Sequence, residues 1–313
     1  MVLQKIKNIE SEKEKIKRKG FYKGKEEELC FVDFSQVDMR NYKKEKIFEA
    51  IKSLRLQSKK PVKKIFVISD VHIPFHNEKA LLTAILYAKE EVKPDELLIL
   101  GDLLDFKAVS FFNKKIEELD LANELRLSVD ILKGIIELFD EVKRIVYIEG
   151  NHEERIFNYT AKKALPYSNL FKTPFDILRL ISHYEFDKKM QYYSIREKGE
   201  AFEVIKNRLF AIHGDEYHKG VPSLINITRN ILEKAKKNMI FGHWHVSQEY
   251  TTTSIDGEVR AAWSVGCLSN LRPEWKPLNN WNWGFAVIYV YDDNFFTVGN
   301  KKIFEKSGKL LIV

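Results

Sequence analysis

From residue 64 onward, short apolar runs alternate with longer runs of helical period. "KIFVIS" (64–69) reads as a buried strand. "EKALLTAILYAKEEV" (78–92) repeats its apolar residues three and four apart, which predicts a helix. "ELLIL" (96–100) predicts a strand, "ELRLSVDILKGIIELFDEV" (124–142) a helix and "RIVYIE" (144–149) a strand. This βαβαβ alternation implies a mainly parallel sheet with helical crossovers. "RLFAIH" (208–213) and "NMIFG" (238–242) repeat the short strand pattern. From 246 on, "QEYTTTSI", "VRAAWSV", "GFAVIYVY" and "FFTVG" predict antiparallel strands and a second sheet. Before residue 64 the character differs. "RNYKKEKIFEAIKSLRL" predicts an amphipathic helix and "SKKPVKK" a linker. The chain thus divides into an extension (1–63) and a main domain (64–313).

The polar residues at the strand ends carry the chemistry. "ISDVH" places Asp70 and His72 after the first strand, and "LGDLLD" places Asp102 and Asp105 after the second. "EGNHE" places Asn151 and His152 after the third; "IHGD" and "FGHWH" place His213, His243 and His245 after two more. Ligand sites of open α/β sheets form at the carboxyl ends of strands. Taken singly, each residue has an ordinary explanation: an Asp caps a helix or turn, and a His hydrogen-bonds in the core or on the surface. A set of five such strand ends in one chain does not. Mixed oxygen and imidazole donors suit Mn, Fe, Zn or Ni better than Ca or Mg. This many donors matches two divalent ions sharing a carboxylate.

Composition bounds the setting. The 313 residues are 44% hydrophobic and 31% charged, as in a globular protein with a sizeable core. There is no apolar N-terminal segment and no run of 18 apolar residues, so neither secretion nor membrane spanning is expected. Two cysteines, Cys30 and Cys267, make no disulfide framework, and a reducing, cytoplasmic setting follows. The net charge of +7 is uneven, since residues 1–64 hold 19 Lys and Arg against 10 Asp and Glu. Such an arm can meet nucleic acid phosphates. Its interleaved Lys and Glu ("ESEKEKIK") equally suit a solvated helix.

D-x-H, G-D-x-x-D, G-N-H-E, H-G and G-H-x-H in this order resemble the calcineurin-like metallophosphoesterases over residues 64 to about 290. "GDLLDFKAVSFF", "IVYIEGNHEERI" and "WSVGCLSNLRPEWKPLNNWNWGFAVIYV" further resemble the stand-alone phosphoesterases of bacteriophages and prophages, which points to a bacterial or phage-infected cell. The resemblance implies an α/β fold: two mixed sheets packed face to face in a β-sandwich, flanked by helices, here with a basic helical extension. It implies that Asp70, His72 and His245 ligate one metal, Asp102 bridges, and Asn151, His213 and His243 ligate the second. Mn is the expected activator, with Fe, Zn or Ni as other occupants. A hydroxide held between the ions would attack phosphorus in line, His152 would protonate the leaving oxygen, and Asp105 would orient His152.

The implied activity is hydrolysis of phosphate mono- or diesters, including nucleotides or nucleic acid. A nuclease acting on phage or host DNA or RNA, and a catalytically idle nucleic-acid-binding protein, are the competing expectations. Phe106-Lys107 stands where the protein Ser/Thr phosphatases have Arg-Gly. His76, Asp215, His218 and Arg155 lie close to the motifs and are expected substrate contacts. The segment 157–205 and the loop "LRPEWKPLNNWNWG" (271–284) mix aromatic with polar or basic residues, so each is readable as a specificity element or as ordinary packing. Oligomeric state is left open.

Overall fold

The structure is a computed structural model, and it describes residues 29–32, 56–111, 120–163, 165–167, 170–217 and 224–313. The strands in chain order are β1 (Leu29–Val32), β2 (Leu56–Lys59), β3 (Lys63–Ile68), β4 (Glu96–Ile99), β5 (Arg144–Ile148), β6 (Met190–Tyr193) and β7 (Phe202–Ile205). They continue with β8 (Leu209–Ala211), β9 (Met239–Phe241), β10 (Gln248–Thr253), β11 (Val259–Ser264), β12 (Trp283–Val290), β13 (Phe296–Lys306) and β14 (Lys309–Ile312). The α-helices are α1 (Glu78–Tyr87), α2 (Leu121–Leu138), α3 (Glu154–Lys163), α4 (Pro174–Ser182), α5 (Ile195–Lys198) and α6 (Ile227–Ala235). A seven-stranded sheet runs β14-β13-β12-β3-β4-β5-β6, a five-stranded sheet runs β10-β11-β9-β8-β7, and β1 pairs with β2 apart from both.

The continuous apolar runs are explained by burial on both faces. Along β3, Phe66 and Ile68 point to the helices while Ile65 and Val67 point between the sheets. The same alternation holds for Leu97 and Leu98 on β4, and for Tyr147 and Val146 on β5. Helices α1, α2 and α4 cover the outer face of the larger sheet with Leu81, Leu132 and Leu178. The inner face packs on the smaller sheet through Met239, Ile240 and Trp263, and Ile231 of α6 joins that core. The α/β sandwich of two mixed sheets is therefore present.

The region after residue 246 departs from the expectation of a wholly separate second sheet. Only β10 and β11 enter the smaller sheet, whereas β12 pairs antiparallel with β3, Val287 opposite Phe66, and carries β13 and β14 with it. Seven of the eight residues of β12 are buried, because a strand inserted between two others beneath helices exposes neither face. The segment 157–205 is likewise no appendage. It supplies β6 to one sheet and β7 to the other, and Phe175, Phe186 and Tyr192 stack beside Tyr147 in the core.

The predicted helix at 40–56 lies outside the described residues, except that Leu56 begins β2. The predicted linker shrinks to residues 60–62. Val62 N–H donates to Val290 O at 2.8 Å, which ties this stretch to β12.

One buried acid makes a prediction. Glu124, in the first turn of α2, is 3% exposed and accepts from Phe106 N–H at 2.6 Å. Burial pushes its pKa up to about 8, against the pull of that hydrogen bond. The folded state therefore holds a proton that the unfolded chain releases near pH 4.5, so stability falls as pH rises from there to about 8. The slope approaches ~1.4 kcal/mol per pH unit. Glu124→Gln keeps the acceptor and removes the charge. In metal-stripped protein its melting temperature should gain on the parent progressively between pH 5 and 8. A gap constant across that range would count against a protonated Glu124.

Candidate metal centre

The candidate ligand residues leave the strands by turning sharply. Asp70, His72, Asp102, His243 and His245 all have positive φ, between 49° and 67°. Left-handed backbone costs a non-glycine residue roughly 1–2 kcal/mol, and five cases gathered from the ends of β3, β4 and β9, strands of both sheets, mark a strained, over-determined site. Gly242 is required by the same crowding, since a Cβ there would fall on Ser69 Oγ.

Three carboxylates are buried here. Asp70 Oδ2 accepts from Ser69 Oγ at 2.6 Å and from His243 N–H at 2.8 Å. Its Oδ1 is buried without a hydrogen-bond partner and faces Nε2 of His245 at 3.2 Å and of His72 at 3.8 Å. Asp102 Oδ1 accepts from His152 N–H at 2.9 Å. Its Oδ2 lies 3.2 Å from His213 Nε2, 3.7 Å from His152 Nε2 and 3.8 Å from His72 Nε2. Asp102 thus stands between two donor groups. One is Asp70, His72 and His245; the other is Asp102 itself with His213 and His243, and with Asn151 Oδ1 3.1 Å from His213 Nε2; a third set, His72, Asp102 and His152, shares members with both.

The donors fit divalent metal. His72 Nε2 and His245 Nε2 are 3.1 Å apart, and His213 Nε2 and His243 Nδ1 are 3.3 Å apart. Two nitrogens each ~2.1 Å from a common ion sit at about this separation. Two facing imidazole nitrogens can otherwise share only one proton. The far nitrogens are held from behind: His213 Nδ1 meets Leu100 O at 2.6 Å and His72 Nδ1 meets Asp105 Oδ2 at 3.0 Å. That arrangement fixes which nitrogen faces the site.

Without a cation, protons balance the carboxylates. Burial alone would depress His72, but hydrogen bonds to Asp105 and Asp70 push it up to about 10. His213 and His245 are also raised despite burial, by the charges of Asp102 and Asp70 respectively. Burial and the charge of His213 push His243 down to about 3. The three aspartates stay low although burial opposes it, held down by the surrounding imidazoles. An entering cation must displace these protons, so its affinity weakens as pH falls.

His152 lies on the rim of this cluster. Its Nδ1 is 3.1 Å from Asp105 O and 3.3 Å from Asp105 Oδ2. Arg155 is turned inward rather than presented to solvent. Its Nη1 donates to Asp105 O (2.8 Å) and Oδ1 (3.1 Å), and Nη2 donates to His152 Nε2 at 2.7 Å. Asp215 is paired with Arg196 Nη2 at 2.6 Å, and Arg196 also reaches Glu149 and Glu154. Partly buried His76 bridges to Ser269 and belongs to none of the donor groups. His218 lies outside the described residues.

Sequence reasoning gave Glu153 no role, yet it holds the centre together. It is fully buried, and Oε2 accepts from Asp102 N–H and Gly150 N–H, both at 2.9 Å. Oε1 accepts from Leu104 N–H at 3.0 Å and Tyr147 O–H at 2.5 Å. Burial and the charge of Asp102 push its pKa up to about 7, and the Tyr147 and Leu104 donors pull it back. The motif "GNHE" contains it, but nothing in hydrophobic periodicity separates it from its neighbour Glu154.

Residues 63–250 match the family model of calcineurin-like phosphoesterases. The chain is 26% identical over 246 residues to the Gene 54 protein of Mycobacterium phage L5, covering 73% of this chain and 89% of the phage protein. It is 27% identical over 247 residues to the Gene 54 protein of Mycobacterium phage D29, with the same coverages. Among solved structures, a single mutant of Vps29 from Entamoeba histolytica aligns with 80% of this chain and 97% of its own, at 11% identity and a TM-score of 0.39.

Glu153→Gln should separate this keystone from its neighbours. The amide presents N–H groups to backbone donors, so roughly 2–4 kcal/mol of stability should be lost. Metal uptake should weaken as the Asp102 loop relaxes. Urea unfolding and metal titration of the variant check both. Unchanged stability together with normal metal uptake would refute the assignment.

Proposed function

The chain belongs to the calcineurin-like phosphoesterase family and is a metal-dependent phosphoric ester hydrolase, and from that premise we propose a two-metal hydrolysis of phosphate mono- or diesters. The observation that carries this reading is Asp102 Oδ2, set between the two donor groups with His152 3.7 Å away. Asp70, His72 and His245 would hold one ion, Asn151, His213 and His243 the other, and Asp102 both. The mixed donors favour Mn²⁺, with Fe, Zn or Ni as alternatives. Bound ions of this kind supply charge stabilisation on the phosphoryl oxygens and lower the pKa of an attacking water.

The protein's own groups supply orientation and a proton. Asp105 faces Nδ1 of both His72 and His152, which turns both Nε2 atoms toward the site. His152 would protonate the leaving oxygen from Nε2. In this state Arg155 donates to that nitrogen, so a substrate must displace the guanidinium before a proton can reside there. An arriving phosphate offers Arg155 a bidentate partner. The displacement would therefore couple substrate binding to loading of the acid.

The basic N-terminal arm is proposed as a nucleic acid contact on its charge alone. The phage relatives suit action inside an infected cell. Among the described residues, no helix is long and apolar enough to cross a membrane.

Reconstitution with Mn²⁺ should give two ions per chain by elemental analysis, with turnover of an aryl phosphate. His152→Ala should keep its metal and lose about 10²–10⁴-fold in kcat on esters with poor leaving groups. Activated aryl esters should lose less. Loss of metal in this variant would show His152 to be a ligand instead.

A further inference from the structure

The loop between β11 and β12 carries an aromatic run that starts at a proposed metal ligand and ends in solvent. Trp281 lies against His245, ring centroids 4.1 Å apart. Trp275 meets Trp281 edge to face at 5.5 Å and is 67% exposed. The Lys276 ammonium sits 5.2 Å from the centre of the Trp281 ring. The loop is built rather than loose. Asn279 Nδ2 donates to Leu271 O (2.7 Å) and Lys276 O (2.8 Å), while its Oδ1 accepts from Trp281 N–H at 2.9 Å. Asn282 N–H donates to His245 O at 2.9 Å, which fixes the run to the metal ligand itself.

A fastened loop that holds one indole in water and a lysine ammonium over the indole behind it suits a ligand with a flat face and negative charge. Nucleobases linked by phosphates have both. We propose that Trp275, backed by Trp281 and Lys276, is a stacking platform for a nucleobase of a single-stranded nucleic acid, whose scissile phosphate lies at the metal centre. The proposal rests on the hydrolase reading above and names its substrate class. The spacing favours a nucleotide over a phosphotyrosine. In phosphotyrosine the ring is bonded directly to the ester oxygen, so its platform would have to touch the metals. Trp275 stands beyond both His245 and Trp281, which leaves room for a sugar between ring and phosphate. Lys276 is then placed for a neighbouring phosphate of the strand.

The test is binding of the full-length protein to a fluorescent oligothymidylate of about ten nucleotides and to an abasic strand of equal length. Anisotropy is read in a chelating buffer, so that no turnover occurs. The parent should bind the oligothymidylate on the order of tenfold more tightly than the abasic strand. Trp275→Ala should erase that preference, and Trp275→Phe should restore most of it. Equal binding of both strands by the parent would overturn the platform. So would an equal loss on both strands in Trp275→Ala, or displacement of the oligothymidylate by a phosphotyrosine peptide as readily as by unlabelled oligothymidylate. Aryl phosphate turnover by the Mn²⁺-loaded parent is measured alongside. A base preference that persists in a protein without such turnover upholds the platform while the hydrolase reading fails.

Discussion

A single buried carboxylate sets the geometry of everything around it. Glu153 accepts from the backbone at Asp102, Leu104 and Gly150, and so locks the loop after β4 to the loop after β5. The buried N–H groups of Asp102, Leu104 and Gly150 would otherwise be orphaned. Gly150 is the counterpart of this lock. A Cβ at that position would collide with Asp102, so the two backbones approach only because one lacks a side chain. With the loops fixed, Asp102 faces two donor groups and His152 stands at their rim.

The electrostatic design follows from that closeness. Three aspartates and five imidazoles crowd one space, which would be ruinous without compensating charge. Protons on His72, His213 and His245 serve in the absence of cations, and the same nitrogens are the proposed ligands. The site is therefore a place where protons and metal ions exchange, not a rigid cage awaiting one species. Arg155 belongs to the same balance. Its guanidinium adds positive charge on the His152 side of the cluster.

Much of this was legible in the sequence. β3, β4 and β5 declare themselves by apolar runs, and the polar residues that follow them lie together in the fold. Legibility failed where local pattern does not encode neighbours. "GFAVIYVY" reads as one more second-sheet strand, but its burial on both faces fits insertion beside β3, a pairing across more than two hundred residues that periodicity cannot express. Arg155 reads as a substrate contact, and its place against Asp105 and His152 is a detail that local pattern could not supply. The fold gives it Asp105 and His152 as partners before any substrate arrives. The aromatics of 157–205 were ambiguous between recognition and packing. For Phe175 and Phe186, burial decides for packing.

The insertion of β12 beside β3 bears on how the protein comes into being. The ladder from Lys63–Ile68 to Trp283–Val290 closes the larger sheet only when synthesis has passed β12. Until then β3 has an open edge toward β12, and the loop that leads to Trp281 has no strand to end in. A nascent chain stalled before residue 283 holds the β3–β4–β5 ladder and the loop residues that meet His245, Trp281 and Asn282, yet lacks the strand that anchors that loop to β3. Synthesis order thus makes the late, long-range pairing of β12 with β3 the step that completes the surroundings of the candidate site.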